Sequence, residues 1–306
     1  MHAMVRRLIA LVPALAACDT VFGLRQDTDA RVTDLACEVG TPFPAGVPAM
    51  ITGAYSVEAA RFTQDEQIAY LSLCERGGSG STCDLYRGQR FDTGMIGGYS
   101  AIASSDSSKY DAYPTVTSDG AYLVFSSKRD SDTHNYIVPA TQGQFTAAGV
   151  RPLPVAADLA SSNEPYLLGD GKTLYFSGNY DLLRAQGDAP EFGGVANRTA
   201  LASLNTSSWD VAPVATNDEL ELFFSSDRDG GGLDLFTASR SSIADELGPA
   251  TKMSISIPDL GPSRAEQQLE WPVWISRDRC TLYYIAKAGL TDTAIATLYV
   301  TSRRSR

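Results

Sequence analysis

Histidine is scarce in this chain of 306 residues, which contains only His2 and His134. A serine hydrolase needs a histidine base beside its nucleophile, and the sequence has no G-x-S-x-G segment that would present a serine. His134 follows the polar residues 129–132, which favours a solvated position over a catalytic one. We therefore expect a protein that is not a nucleophilic hydrolase and, more broadly, not an enzyme.

The N-terminal apolar run is too short to cross a bilayer, which takes about 20 residues. It covers residues 8–17 and follows the positively charged Arg6 and Arg7. A short apolar run behind a positive segment and before small residues is typical of a secretory signal peptide. The sequence thus predicts a removable signal at residues 1–17 and an exported protein.

The run ends in Leu15-Ala16-Ala17-Cys18, which resembles the lipobox of bacterial lipoproteins. The resemblance implies cleavage before Cys18 and a diacylglycerol on its thiol. We expect a lipid anchor on the periplasmic face of the inner or outer membrane, or at the cell surface. Each buried lipid CH₂ contributes roughly 0.8 kcal/mol, so two or three acyl chains would hold firmly. Residues 18–36 would form a tether and residues 37–306 a single domain; a plain secretory signal is the alternative.

Cysteine is sparse, and its spacing excludes a zinc site. The chain has no C-x-x-C motif and no cysteine–histidine pattern of metal ligands, and we expect no cofactor. Beyond Cys18 an even number remains, which in an exported protein indicates disulfides with three possible pairings. Cys74 and Cys83 flank a flexible Gly/Ser-rich loop that could close easily, which leaves Cys37 with Cys280. Free buried thiols are the alternative.

The chain also lacks an excess of positive charge. Its net charge is −11, and cleavage before Cys18 would remove two arginines and no acid, which gives −13. Nucleic acid and anionic lipid surfaces attract basic proteins, so neither is an expected partner of the folded domain. We expect a monomer held at the membrane only by its lipid.

No apolar pattern with the period of a helix extends over any length. Instead, one unit recurs: a short run that often contains proline, an aspartate turn, an aromatic and β-branched run, and a polar loop before a further strand. Its key aspartate recurs at intervals of 54, 51, 48 and 60 residues, at Asp65, Asp119, Asp170, Asp218 and Asp278. This period predicts one four-stranded blade per repeat and an all-β fold.

In the middle repeats the unit approaches P-x-[VLT]-S-x-D-G-x-x-L-[YV]-F-S-S-x-R…D-L-[YF], as at residues 114–129. This pattern resembles the WD-like β-propeller repeat of TolB and related exported proteins, over about residues 43–302. The resemblance implies a β-propeller with five recognisable repeats of four-stranded blades. TolB-type rings have six blades, so five or six are open. Residues 24–50 are expected to supply a strand that closes the ring, and a Cys37–Cys280 bridge would reinforce it.

One loop has the spacing of a calcium site. Residues 227–234 resemble a D-x-D-G-x-G-x-D loop, with Asp227, Asp229 and Asp234 as candidate oxygen ligands. The twelfth position of an EF-hand loop would be Ala238 rather than glutamate. A Gly-rich hairpin without metal is the favoured interpretation, and calcium is the alternative.

Three acids precede the inner strands of their repeats: Glu164, Asp210 and Glu270. Together with Trp271 they are candidates for a binding site at the mouth of the central channel, where acids would attract cations or basic peptide segments. Ordinary residues at the start of a strand are the alternative.

TolB-like relatives act as interaction hubs, so the resemblance implies a non-enzymatic scaffold for an envelope protein or peptide. A carbohydrate-binding or glycoside-cleaving propeller, which requires two convergent carboxylates if it is an enzyme, is the second hypothesis. A wall-associated protein without a pocket is the third.

Overall fold

The computed structural model describes residues 37–53, 55–75, 82–91, 93–105, 108–255, 268–288 and 295–303. Within them the regular structure is strand, apart from three short 3₁₀ turns at Ala147–Gly149, Pro154–Ala156 and Val195–Asn197. The predicted signal peptide and the whole predicted tether, including Cys18, lie outside the described residues. Among the residues described, no helix has the length and hydrophobicity needed to cross a membrane.

The strands form five antiparallel sheets. The first sheet contains β2 (Tyr55–Phe62), β3 (Ile68–Glu75), β4 (Cys83–Arg90) and β5 (Ile96–Ala101). The second contains β6 (Asp111–Val116), β7 (Tyr122–Ser127), β8 (His134–Thr141) and β10 (Arg151–Pro152), with β9 (Gln144–Phe145) beside β8. The third contains β11 (Ser162–Leu167), β12 (Thr173–Gly178), β13 (Asp181–Gln186) and β14 (Arg198–Ala200).

The fourth sheet contains β15 (Asp210–Ala215), β16 (Glu221–Ser226), β17 (Asp234–Ser239) and β18 (Thr251–Lys252). The fifth contains β19 (Gln268–Ile275), β20 (Thr281–Ala288) and β21 (Ala296–Ser302), and its fourth strand is β1 (Val47–Pro48) from the other end of the domain. Each predicted repeat therefore supplies one sheet.

The five sheets are the blades of a β-propeller. The first strands of successive blades contact one another in ring order, from β2 through β6, β11 and β15 to β19, and β19 returns to β2. These first strands therefore line the central axis, as inner strands of a propeller do. The predicted all-β propeller is confirmed, and its ring has five blades.

The N-terminal segment closes the ring. β1 pairs antiparallel with β21, with Val47 opposite Val300, so the last blade takes its outermost strand from the start of the domain. The Cys37–Cys280 disulfide joins the same two parts of the chain. A second disulfide, Cys74–Cys83, joins β3 to β4. Both pairings are those that the loop argument favoured, and disulfides are typical of proteins outside the reducing cytoplasm.

The repeated aspartates are turn residues. In the second blade, Asp119 accepts hydrogen bonds from the Thr117 hydroxyl (2.6 Å) and the Ala121 amide (2.9 Å). These bonds, led by that of Thr117, lower the pKa of the Asp119 carboxyl. The next residue, Gly120, has φ 68°, a conformation in which glycine is not strained. The aspartate recurs in the sequence because it shapes this turn.

The serine that follows the aromatic run joins neighbouring blades. Ser126 Oγ accepts the amide of Glu164 (3.0 Å), Ser177 Oγ accepts the amide of Ala212 (3.0 Å), and Ser225 Oγ donates to the carbonyl of Glu270 (2.6 Å). Each serine lies on a second strand and its partner on the first strand of the next blade. The repeated serine thus satisfies backbone groups that would otherwise be buried without a partner.

Candidate functional site

The two ends of the ring carry different groups. The turns with the five repeated aspartates join first to second strands at one end, here called the turn face. Neighbouring strands are antiparallel, so the first strands begin at the opposite end, here called the start face. The start face also holds the turns between second and third strands, such as Asn179-Tyr180 and residues 227–233.

Each first strand has a bulge within its length. The pairing of β2, β6, β11, β15 and β19 with the second strands shifts register at this point. In the three middle blades the residue before the proline has a positive φ: 54° at Tyr113, 51° at Glu164 and 54° at Ala212. Such angles are uncommon outside glycine, and bulges redirect side chains. This level of the axis therefore presents Tyr113, Glu164 and the small Ala212.

One level nearer the turn face, five residues share a register position: Arg61, Thr115, Tyr166, Val214 and Trp274. The Arg61 guanidinium lies 4.9 Å from the centroid of the Tyr166 ring, and the Tyr166 and Trp274 rings are 5.9 Å apart. Blades 1 and 3 are not neighbours, nor are blades 3 and 5. These contacts therefore cross the axis and obstruct it at this level.

Arg61 is the central feature of the site. Its side chain is only 2% exposed, and Nε, Nη1 and Nη2 have no hydrogen-bond partner in the described part of the chain. Burial lowers the pKa of Arg61 to about 10, while Tyr166, Tyr113 and Glu164 act in the opposite direction. The guanidinium is thus still charged at neutral pH, and its five N–H donors are unused.

Glu164 is close to Arg61 but is bound by other groups. Its carboxylate accepts hydrogen bonds from the Ser177 hydroxyl, the Ala212 amide (3.1 Å) and the Asn163 side-chain amide (3.0 Å). Burial raises the pKa of the Glu164 carboxyl, and its hydrogen bonds and the charge of Arg61 act in the opposite direction. Glu164 therefore joins the third blade to the fourth and contributes negative potential to the axis.

Two tyrosines and a second glutamate complete the cluster. The hydroxyls of Tyr110 and Tyr113 hydrogen bond to each other, and burial, with the charges of Glu58 and Glu164, raises the pKa of both phenols. Burial also raises the pKa of the Glu58 carboxyl, which Lys287 partly offsets. We call Glu58, Arg61, Tyr110, Tyr113, Glu164, Tyr166 and Trp274 the axial cluster.

Glu58 also belongs to a possible metal-ligand group. Its carboxylate and the sulfur atoms of Cys74 and Cys83 lie within 4.8 Å of one another, and no other such group occurs among the described residues. The two sulfurs are bonded to each other in a disulfide, which removes them as thiolate ligands. The group has no donor set for zinc.

The structure separates the acids that the sequence grouped together. Only Glu164 belongs to the axial cluster. Asp210 is fully buried beside Arg228 (2.5 Å), and its other oxygen accepts the amide (2.6 Å) and hydroxyl (2.8 Å) of Thr206. Arg228 in turn lies over the Phe224 ring at 5.1 Å. This arrangement repeats at Asp111 and Arg129 in the second blade, so it explains the arginine of the S-S-x-R pattern as a partner of the strand's first acid.

Glu270 and Trp271 lie on the first strand of the last blade. Glu270 is 7% exposed, and burial, with the charge of Asp234, raises the pKa of its carboxyl to about 7, against the effect of Lys252. Trp271 is buried, and its indole donates to the carbonyl of Glu58 (3.0 Å). Trp271 thus supports the bulge that positions Glu58, while Glu270 faces the fourth blade.

The candidate calcium loop binds a lysine of its own blade. Lys252 Nζ lies 2.6 Å from Asp234 and 3.7 Å from Asp229, and Asp227 accepts the amide of Trp209 (2.8 Å). The Lys252 ammonium thus pairs with two of the three candidate ligands.

An exposed aromatic pair lies at the rim of the start face. The rings of Tyr180 and Trp209 stack with centroids 4.7 Å apart, and about half of each side chain is exposed. Large exposed aromatic rings are enriched at protein interfaces. Of the three tryptophans, Trp209 is therefore available to a partner, whereas Trp271 and Trp274 are buried.

Comparisons with known proteins support the fold. No protein-family profile matches the chain, and a search of curated proteins finds no match. Among solved structures, the catalytic domain of the Coprinopsis cinerea GH62 α-L-arabinofuranosidase is similar, with 13% identity, a TM-score of 0.50, and 85% of this chain and 96% of that one covered. The tail fibre of Staphylococcus aureus phage P68 has 10% identity and a TM-score of 0.50, with 84% and 52% covered.

TolB from Acinetobacter baumannii is also similar, with 13% identity and a TM-score of 0.46, and 82% of this chain aligns. The chain spans 55% of the length of that TolB. At such identities the similarity concerns the propeller fold alone, because one fold carries many functions.

Proposed function

We propose that this protein is a non-enzymatic lipoprotein of the bacterial envelope whose propeller binds a protein or peptide partner at its start face. The predicted lipid on Cys18 would hold it at the membrane, and residues 18–36 would let the domain reach its partner. The acidic domain suits this position, because it is not drawn to the anionic lipid surface.

The observation that carries the proposal is the exposed Tyr180–Trp209 stack at the rim of the start face. The exposure of these two rings does not stabilise the fold, because leaving apolar area in contact with water is unfavourable. Tyrosine and tryptophan anchor many protein interfaces. The bulges that carry Tyr113, Glu164 and Ala212 lie on the start-face side of Arg61.

A photo-crosslinking experiment tests this proposal. A benzoylphenylalanine at Tyr180 is compared with one at Ser118, an exposed residue of the turn face, in intact envelopes followed by mass spectrometry. We expect a specific protein adduct at Tyr180 and none at Ser118. Adducts at Ser118 alone, or at neither position, contradict the proposal.

The anchor has its own test. Cys18→Ala should move the protein from the membrane fraction to the soluble periplasmic fraction, while the propeller folds as before. A variant that stays membrane-bound contradicts the lipid anchor but leaves the start-face proposal in place.

A carbohydrate-active propeller is the second candidate. It is favoured by the raised pKa of two carboxyls, Glu58 and Glu164, on an axis lined by aromatic rings. A glycosidase needs one carboxyl that stays protonated as the acid and a second as base or nucleophile. Hydrolysis of aryl glycosides that is lost in both Glu58→Gln and Glu164→Gln would establish this candidate; binding of neutral sugars without hydrolysis would support a lectin.

A further inference from the structure

The centre of the axial cluster has unused hydrogen-bond donors in excess. Arg61 offers five N–H groups, and the indole Nε1–H of Trp274 is also buried without a partner in the described chain. Asn163 Oδ1, next to Glu164 in the sequence, is a buried acceptor without a partner in the described chain. A buried donor that lacks an acceptor is unfavourable, and a buried guanidinium without one is more so. Such a centre is suited to a ligand that brings acceptor oxygens.

The charges around Arg61 restrict the kind of ligand. One guanidinium supplies the positive charge, Glu164 lies near it, and Glu58 lies near the adjacent Tyr113. A dianion such as phosphate would meet these carboxyls with only one positive charge to offset it. A carboxylate carries a single charge, and its two oxygens match the planar fork of a guanidinium.

The shape of the axis restricts how the ligand is attached. A polypeptide that enters from the start face meets the contacts of Arg61 with Tyr166 and of Tyr166 with Trp274, which cross the axis. The inserted chain has to end at this level. A polypeptide that ends carries its α-carboxylate there, at the position of the unused Arg61 donors.

We propose that Arg61 captures the free C-terminal carboxylate of a peptide or protein segment inserted along the axis from the start face. This inference rests on the proposed function and names the chemistry of its partner. Arg61 holds both carboxylate oxygens, Trp274 donates a further hydrogen bond, and Tyr113 and Tyr166 pack beside the last residues. No bond is made or broken.

The test uses the intact mature protein and two matched probes, N-acetyl-triglycine with a free carboxylate and the same peptide as its C-terminal amide. Acetate, galacturonate and inorganic phosphate serve as further arms. Binding is followed by tryptophan fluorescence and by the shift in melting temperature, because a ligand that binds only the folded state stabilises it. We expect saturable binding of the acid and at least tenfold weaker binding of the amide.

Variants assign the effect to Arg61. Arg61→Gln should weaken binding of the acid at least tenfold and remove the difference between acid and amide. Arg61→Lys, which keeps the charge but not the fork, should fall between. Arg277→Gln removes the same charge from an exposed turn residue and should bind like the natural protein. If Arg61→Gln does not fold, the comparison of acid and amide on the unaltered protein still shows whether the site recognises a free carboxylate.

Equal binding of acid and amide, or no binding of the acid, overturns the inference. Tighter binding of galacturonate or phosphate than of the peptide acid overturns the peptide source. A start-face crosslink to a partner, with acid and amide equal, leaves the proposed function standing without the carboxylate site. Acid binding with no crosslinked partner leaves the carboxylate site standing and removes the proposed function.

Discussion

The guanidinium of Arg61 lies over the ring of Tyr166 at 4.9 Å and so joins the first blade to the third across the axis. A cation above an aromatic face is stabilised by about 0.5–2 kcal/mol, which offsets part of the cost of burying the charge. The remaining donors are unpaired. Arg61 is therefore held in position by packing while its hydrogen-bonding capacity stays available.

Replacing Arg61 by methionine should stabilise the ligand-free protein while abolishing carboxylate binding. Methionine fills a similar unbranched volume without a buried charge, and such replacements are neutral or stabilising by about 1–4 kcal/mol. Urea unfolding of the mature domain measures the change. A loss of more than about 1 kcal/mol would mean that Arg61 is paired in the free protein and acts as a structural residue.

Asp210→Asn should destabilise the fold by about 3 kcal/mol, because it leaves the Arg228 charge partly buried without its partner. Asp229→Asn, at a half-exposed ion pair with Lys252, should cost less than about 1 kcal/mol. Urea unfolding of both variants compares the two positions. If Asp210→Asn folds with unchanged stability but loses the crosslinked partner, Asp210 is a binding residue after all.

The stability of the protein should depend on pH through Glu270. The pKa of this carboxyl is raised in the folded state, from 4.5 to about 7, so the folded state holds the proton more tightly. The protonated Glu270 carboxyl contributes to the free energy of unfolding in full below pH 4.5. This contribution, at most about 3 kcal/mol, is lost as the pH rises from 4.5 to 7. The Glu270→Gln variant should have a free energy of unfolding similar to that of the natural protein at pH 5 and a larger one at pH 8.

Unfolding free energies at pH 5, 6, 7 and 8 measure this difference. Glu246→Gln, at an exposed residue of the neighbouring fourth blade, is the control and should change the profile little. A constant difference between Glu270→Gln and the natural protein across this range contradicts the buried, protonated Glu270.

The two disulfides should contribute unequally to stability. Cys37 and Cys280 are 243 residues apart, whereas Cys74 and Cys83 are 9 apart. Loop entropy in the unfolded chain gives roughly 5 kcal/mol for the first and roughly 2.5 kcal/mol for the second. Urea unfolding of the paired Cys→Ser variants checks the order, and an equal or reversed order would show that β1 closes the ring without help from its disulfide.

The repeats were predictable because each repeated residue has a structural role in its blade or in the contact with the next one. Asp119 shapes a tight turn, Ser126 satisfies an amide of the next blade, and Arg129 pairs with a buried acid. Requirements of this kind recur in several blades, as at Asp170, Ser177 and Arg228, and leave a pattern in the sequence. The number of blades was harder to predict, because the strand that closes the ring is only Val47–Pro48. Two residues are too few to show the alternating pattern of a strand.

The axial cluster was only partly predictable. Glu164 was found because it precedes a proline-containing strand, but Asp210 and Glu270 stand at other register positions of their strands. Arg61 lies in the weakest repeat, and in the sequence nothing distinguishes it from a solvent-facing arginine. Aligning the repeats on their aspartates would have given a signal. This alignment puts Arg61 at the same position as Tyr166 and Trp274, so a charged residue stands where other repeats have large aromatic ones.

The three tryptophans allow the most direct test of the axial site. In protein labelled with ¹⁵N at the indole nitrogens, each of Trp209, Trp271 and Trp274 gives one N–H resonance, assigned by single Trp→Phe variants. Saturation with N-acetyl-triglycine acid should shift the Trp274 resonance, whose N–H is buried and unpartnered, and leave that of Trp209 at the rim in place. Unchanged spectra, or a shift confined to Trp209, would contradict a ligand site on the axis.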